Sequence, residues 1–276
     1  MVESSISAIA LVPFTEQQPT LGLISPGTSG ALVLLLMMFI IGYIFISQAT
    51  KGRKFPVKNI AGFEAIKEAV GRAVEMGRPV HYTFGYGTGI GPEIVAGLGV
   101  LSHVSKVAGQ YGARLITSLG VPEAIPIVEE MVREGYRSAG KADAYKPEDV
   151  KYLTTQEFAY AAAAQAIISR EKAAANLMIG PFTAEALMLA EAGATVGAVQ
   201  IAGTARETQI PFFVLVCDYV LIAEEMFAAS ALATGDAATA ASLAAEDIGK
   251  MILIALLIVG IALLMLGVNL GALLFI

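Results

Sequence analysis

The chain has 276 residues, of which 56% are apolar and only 15% charged, with a formal net charge of −6. A soluble domain carries about 25% charged and 45–50% apolar residues, so the surplus of apolar side chains needs some environment besides one water-bounded core. An acidic chain without a broad Lys/Arg cluster excludes a phosphate-tracking nucleic-acid surface, and one cysteine with two histidines excludes an intrachain disulfide, a thiolate cage and a histidine-rich metal site.

Residues 1–30 carry Glu3, Glu16, Gln17 and Gln18 and no Lys or Arg. A secretory signal needs a basic start and a short apolar centre, so this stretch reads as an extracytoplasmic segment ahead of an anchor. Ala31 to Ala49 is uncharged. At 1.5 Å per residue a helix there reaches about 28 Å, close to the roughly 30 Å of hydrocarbon in a bilayer. Lys51, Arg53, Lys54 and Lys58 follow at once, and the positive-inside rule assigns that side to the cytoplasm. Residues 50–250 then form a cytoplasmic domain. A second uncharged run, 251–276, starts after Lys250 and recrosses the bilayer. The expectation is a multi-pass cell-membrane protein with both termini outside. In the second run Gly260, Gly267 and Gly271 share one face, and Gly267-x-x-x-Gly271 is a spacing that lets membrane helices pack closely.

The middle opens with an amphipathic helix over Ile60–Met76, in which Ile60, Phe63, Ile66, Val70 and Val74 recur at three- and four-residue steps. A unit then repeats: short apolar runs at 79–84, 114–119, 150–153, 177–179 and 198–201 each end in small polar residues and lead into a longer helical stretch. Strand, turn and helix in this rhythm predict an α/β domain, Rossmann-like, whose parallel sheet of about five strands has helical crossovers. Thr154-Thr-Gln-Glu157 and Thr204-Ala-Arg-Glu207 fit the helix capping box, and Gly140 and Gly193 fall where helices should stop. Ser138–Lys151 is polar and reads as an excursion or linker, without dividing the domain. Ile210–Ala223, nearly all apolar but broken by Asp218, reads as a buried helix or strand too short to span. Cys217 within it is a small buried hydrophobe.

Gly85-Tyr-Gly87-Thr-Gly89-Ile-Gly91-Pro-Glu93 follows a predicted strand and opens a predicted helix. Glycine permits positive φ and close backbone approach, and a helix start offers free amides to an anion. No Lys-Ser/Thr pair makes it a P-loop, and Pro92 breaks the dinucleotide fingerprint; a ligand-free tight turn is the competing reading. In open parallel sheets ligands lie beyond the strands' carboxyl ends. The candidate ligand set is therefore Gly85, Gly87, Gly89, Gly91, Thr117, Ser118, Thr154, Thr155, Gly180, Thr204 and Arg206. Such Gly and Thr residues equally serve any strand-to-helix turn. His81 sits inside a strand as a satisfied histidine, Glu207 is assigned to a cap, and adjacent Glu224 and Glu225 point about 100° apart on a helix. No nucleophile elbow, zinc motif or kinase set is present, and no cofactor is required by the sequence.

Gly89-Ile-Gly91-Pro-Glu93 is similar to an N-terminal turn of decarboxylating hydroxyacid dehydrogenases, without that family's later Arg, Lys and Asp clusters. At Ile201-Ala-Gly-Thr-Ala-Arg-Glu-Thr-Gln-Ile-Pro-Phe-Phe213 and Glu224-Glu-Met-Phe-Ala-Ala-Ser230 the chain resembles a bacterial and archaeal family of membrane proteins described only as a domain of unknown function. That resemblance runs from about Phe55 to Lys250 and implies a shared fold and membrane attachment, with no catalytic residues to carry over. The leading expectation is a membrane-anchored assembly protein, homo-oligomeric through its Ala-rich helices and in contact with the lipid bilayer. The alternative is a membrane-tethered sensor for a nucleotide or other small anion; a membrane-bound enzyme ranks third.

Overall fold

The computed structural model describes residues 29–266. They fall into two compact units, one of residues 29–41 and 249–266, the other Gly42–Ile248. Segment 1–28, Gly267 and Gly271 lie outside the described residues.

The smaller unit is built from parts of α1 (Ser29–Thr50) and α9 (Ala237–Met265). Both helices are long and apolar enough to cross a membrane, and almost none of their apolar length is buried. Inside this unit the Met38 thioether covers Gly249, where a Cβ would lie 2.4 Å from Met38 Cε. Helix α9 starts at Ala237, well before the expected 251. The Ala-rich stretch is a strong helix former, and nothing between Ala237 and Met251 breaks it.

The larger unit contains a six-stranded sheet in the order β3-β2-β1-β4-β5-β6, every pair of neighbours parallel. The strands are β1 (Val80–Tyr86), β2 (Leu115–Gly120), β3 (Val150–Tyr152), β4 (Ala175–Ile179), β5 (Val199–Thr204) and β6 (Tyr219–Ile222). Between them lie α3 (Pro92–Tyr111), α4 (Ile125–Ser138), α5 (Glu157–Glu171), α6 (Glu185–Thr195) and α7 (Ile210–Val216). Helices α2 (Ala61–Glu75) and α8 (Glu224–Thr234) flank the set. The chain starts at the centre with β1, steps outward to β3, returns to β4 beside β1, then steps outward the other way. The reversal point, between β1 and β4, is where such folds open a crevice.

Helices α2, α3, α4 and α8 cover one face and α5, α6 and α7 the other. The first face is apolar: Tyr82, Phe84, Leu115, Leu119, Leu177, Ile179, Ile201 and Leu221 form one cluster. Helix α3 lies so close that a Cβ on Gly97 would come 2.6 Å from the Ile179 carbonyl oxygen. The second face mixes apolar residues with a polar row, His81, Asn176 and Gln200, held side by side by strand register.

Several expectations change on contact with the fold. The apolar run 210–223 is two elements: α7, a break at Cys217-Asp218, and then β6, which adds a sixth strand. Gly193 does not end a helix but lies within α6, where a Cβ would strike Gln200 Oε1 at 2.3 Å; Gly197, at φ +69°, follows the helix end instead. Neither capping box forms. The α5 N-cap is Gln156 and that of α7 is Gln209, neither with a side-chain cap bond. Thr154 and Thr204 instead accept the amides two residues on, those of Gln156 and Arg206, as short polar side chains do in turns. Between the ends that join α4 and β3, the stretch Ser138–Lys151 holds two short 3-10 turns, Ala142–Ala144 and Pro147–Asp149, tied down by the Asp149 carboxylate, which accepts two hydrogen bonds from Arg114.

Candidate functional site

The β1–α3 turn carries the positive φ values that only glycine tolerates cheaply: +84° at Gly85, +149° at Gly87 and +80° at Gly89. The turn swings the chain out at the carboxyl end of β1 and delivers it to the N-terminus of α3, whose N-cap is Gly91 with Pro92 at the first helical position. Proline fits there because that amide has no helical partner. Across the reversal point, β4 ends in Gly180-Pro181-Phe182-Thr183. Gly180 has to be glycine, since a Cβ would sit 2.3 Å from the Phe84 carbonyl oxygen.

Between the two turns is a cleft of about 280 Å³ lined by Tyr86, Gly87, Gly89, Gly91, Glu93, Thr183 and Arg206, among others. Of the sequence-predicted set the structure thus gathers Gly87, Gly89, Gly91 and Arg206 around one space, while Gly85 and Gly180 each directly precede a lining residue, Tyr86 and Pro181. The others are not brought to it. Thr117 and Ser118 lie buried inside β2, which runs on to Gly120. Thr154 and Thr155 follow β3, two strands away. Thr204 is buried at the end of β5.

Residues that periodicity does not single out supply most of the chemistry. Thr183 Oγ1 lies 2.8 Å from Glu157 Oε1, 2.6 Å from Glu185 Oε2 and 3.2 Å from the Tyr86 hydroxyl. One hydroxyl proton cannot serve both carboxylates, so the arrangement is satisfied when Glu185 is protonated and Glu157 is not. Their surroundings push them that way. Burial raises the Glu185 pKa, while the Thr183 and Tyr86 hydroxyls lower that of Glu157. Glu185 is fully buried, and its Oε1 has no hydrogen-bond partner among the described residues. That oxygen lies 3.3 Å from where a Cβ on Gly85 would stand. The Glu157, Glu185 and Tyr86 signal in the sequence is faint: a Thr-Ala-Glu four residues past the end of a strand, and a tyrosine between turn glycines.

Several amides beside the cleft are also spoken for. Gly89 N–H donates to Glu123 (3.3 Å), Ala205 N–H to Glu93 (3.3 Å), Ala184 N–H to Glu157 (3.2 Å) and Thr183 N–H to Glu185 (3.0 Å). Gly87 N–H donates to the Gly120 carbonyl at 3.3 Å. Arg206 stands at the rim, half exposed, its Nε 3.8 Å from Glu93 Oε2. Glu207, exposed in the turn before α7, caps no helix.

His81 sits away from the cleft, fully enclosed: Nδ1 is 2.8 Å from Asn176 Oδ1 and Nε2 2.7 Å from Ser118 Oγ. Burial pushes its pKa down to about 4, so the ring is neutral at pH 7. His103 stacks on Phe63, ring centroids 4.6 Å apart. Cys217 packs at the edge of the second cluster, and burial pushes its thiol up to about 12. A larger cleft of about 630 Å³ lies between segment 56–62 and helices α8 and α9. Its acids, Glu224, Glu225, Glu246 and Asp247, are all exposed, so it offers no enclosed polar groups. Among the described residues no group of three or more His, Cys, Asp or Glu side chains is placed to hold a metal ion.

Residues 24–275 match the family model described as "Domain of unknown function (DUF6754)". No curated protein matches the chain.

Proposed function

The chain belongs to the DUF6754 family, and from the geometry of its own site we propose that it is a membrane-tethered domain that binds a small polar molecule in the crevice between β1 and β4. One observation carries this reading. The only sequence stretch with glycine at four alternate positions, Gly85–Gly91, falls at the reversal point of the sheet, where a cleft lined by Tyr86, Thr183, Glu93 and Arg206 opens. Parallel sheets of this winding bind ligands there. Gly91 permits a clean test, because its φ is ordinary and a Cβ there meets nothing within 4 Å. Gly91→Leu should fill the cleft and leave the fold intact. A thermal-shift screen of the whole chain in detergent should find small metabolites that raise its Tm, with Gly91→Leu losing the response. No hit in such a screen, or hits that Gly91→Leu retains, would remove the site.

The tether follows from α1 and α9, which enter a bilayer as two spans in this reading. Lys51, Arg53, Lys54 and Lys58 then keep the α/β domain on the cytoplasmic side. In a Cys217→Ala background, a cysteine placed at exposed Gln110 should resist an impermeant maleimide in intact cells and react after lysis. Labelling before lysis contradicts this topology.

Self-association into a membrane-face assembly is a second reading, favoured by one feature. Phe212, Val214 and Leu215 on α7 are 46%, 56% and 83% exposed beside the edge strand β6, an apolar patch that a second copy would cover. The Ala-rich helices give it less support, since Ala229 and Ala231 of α8 and Ala241 and Ala245 of α9 are buried within the chain. Native mass spectrometry in detergent should show an oligomer that Leu215→Glu dissociates; monomer alone contradicts it.

A further inference from the structure

Granted the tether that α1 and α9 provide, we infer that α7 is a further point of membrane contact. It lies on the bilayer with its apolar side sunk at the boundary between headgroups and acyl chains. Every residue of α7 is apolar, Ile210-Pro-Phe-Phe-Val-Leu-Val216, and of these only Phe213 is buried. A helix that faces water keeps a polar side, and α7 has none. Ile222, 43% exposed on β6, joins Phe212, Val214 and Leu215. It shares a sheet face with Val220, because alternate strand residues point the same way, and Val220 packs with Phe213 and Val216 in the cluster on the α7 side. An exposed apolar grouping of this kind marks an interaction surface.

Position and size decide what covers it. The domain's limits, Gly42 and Ile248, both fall inside a helix, so continuous helix, not a flexible linker, joins it to each span. Within the domain the cleft beside segment 56–62 is lined by Ala240, Leu243 and Ala244 of α9, and of the described strands only β6 reaches it, through Val220. Lys250 is the last charged residue of the chain, and the helix from Leu243 to Lys250 is only about 10 Å long. Helix α7 packs on β6 and, like any helix with side chains, is about 10–12 Å thick. An interfacial helix sinks about 5–10 Å, a depth that this edge of the domain can reach. A second copy, the occupant in the self-association reading, needs a broader surface. One side of a specific interface supplies about 20–30 residues, with a polar rim; the large apolar side chains here are Phe212, Val214, Leu215 and Ile222. For lipid a small patch suffices, because the tether keeps the bilayer at high effective concentration. Helix α7 contains no Lys or Arg, so the contact is with acyl chains and needs no anionic headgroup.

The test uses the whole chain, one copy per phosphatidylcholine nanodisc, with lipids spin-labelled either near the headgroup or deep in the acyl chain. Leu215→Cys in the Cys217→Ala background carries a fluorophore; Leu215 is 83% exposed, so the exchange spares the core. The probe there should be quenched by the shallow label more than by the deep one, and should resist aqueous iodide. On Leu257→Cys in α9 the deep label should quench more, and on Gln110→Cys, at an exposed site, only iodide should. Lipid quenching at position 257 without any at position 215 would overturn the α7 contact and leave the tether standing. No lipid quenching at either position would remove the tether and the inference with it. Protection of position 215 that develops only in discs loaded with several copies would assign the patch to a second copy, and so also overturn it.

Discussion

The two faces of the one sheet are built on opposite principles. Under α2, α3, α4 and α8 the strands present Tyr82, Phe84, Leu177 and Ile201, a continuous apolar layer. Under α5, α6 and α7 they present His81, Asn176 and Gln200, with Ser118 and Tyr160 joining from β2 and α5. Apolar burial is non-directional and tolerates sliding. A row of amides and an imidazole tolerates far less displacement, because each hydrogen bond needs its partner close and in line. On this argument the apolar face should supply most of the stability and the polar row should pin the register of β1, β4 and β5. Register matters here because β1 and β4 carry the crevice.

The largest effect should come from the apolar face. Phe84→Ala removes a fully buried ring that also touches the line of α3 at Gly97, and should cost about 3–5 kcal/mol in urea unfolding. A loss under about 1 kcal/mol would mean that this face is not the main core. On the other face, Asn176→Ala strands His81 Nδ1 and Gln200 Oε1 in the interior and should cost about 2–3 kcal/mol. The comparison sharpens with His81→Leu and Asn176→Leu combined. If the row specifies register more than it stabilises, this double variant should lose less than the sum of its single changes, yet show altered amide exchange along β4. Full additivity with unchanged exchange would argue against that division of labour.

The smallest effect is a pH slope. His81 takes up its proton near pH 6.5 when unfolded and only near pH 4 when folded. Between those values the unfolded chain binds more protons, so stability rises with pH, is complete above about 6.5, and falls as pH drops toward 4. From pH 7 to pH 5.5 the loss should be about 1 kcal/mol. Glu185, whose raised pKa works in the opposite sense as pH climbs, is held constant by comparing against His81→Leu, which should flatten the slope. An equal slope in that variant would assign the effect elsewhere.

What the sequence makes legible, and what it hides, follows from the same physics. Strands β1, β2, β4 and β5 are readable as mostly apolar runs closed by small residues, and β3, with Lys151 inside it, by the Thr154-Thr155 pair that follows. Strand β6 is not, because α7 and β6 are both apolar and only Cys217-Asp218 separates them; periodicity cannot divide so short a stretch. Gly193 reads as a helix stop because a glycine needed for close approach to Gln200 and one needed for a left-handed cap look alike. In the site, the turn glycines and Arg206 are visible as pattern. Glu157 is not, since only the fold brings the first residue of α5 against Thr183 and its neighbour Glu185. Glu157 even fits a capping box, a local rule that this contact overrides.

The most direct test is an experimental density map of the whole chain purified in native lipid. A small density should lie between Tyr86, Thr183 and Arg206. An unfilled crevice with bound density instead in the larger cleft beside segment 56–62 would contradict the account.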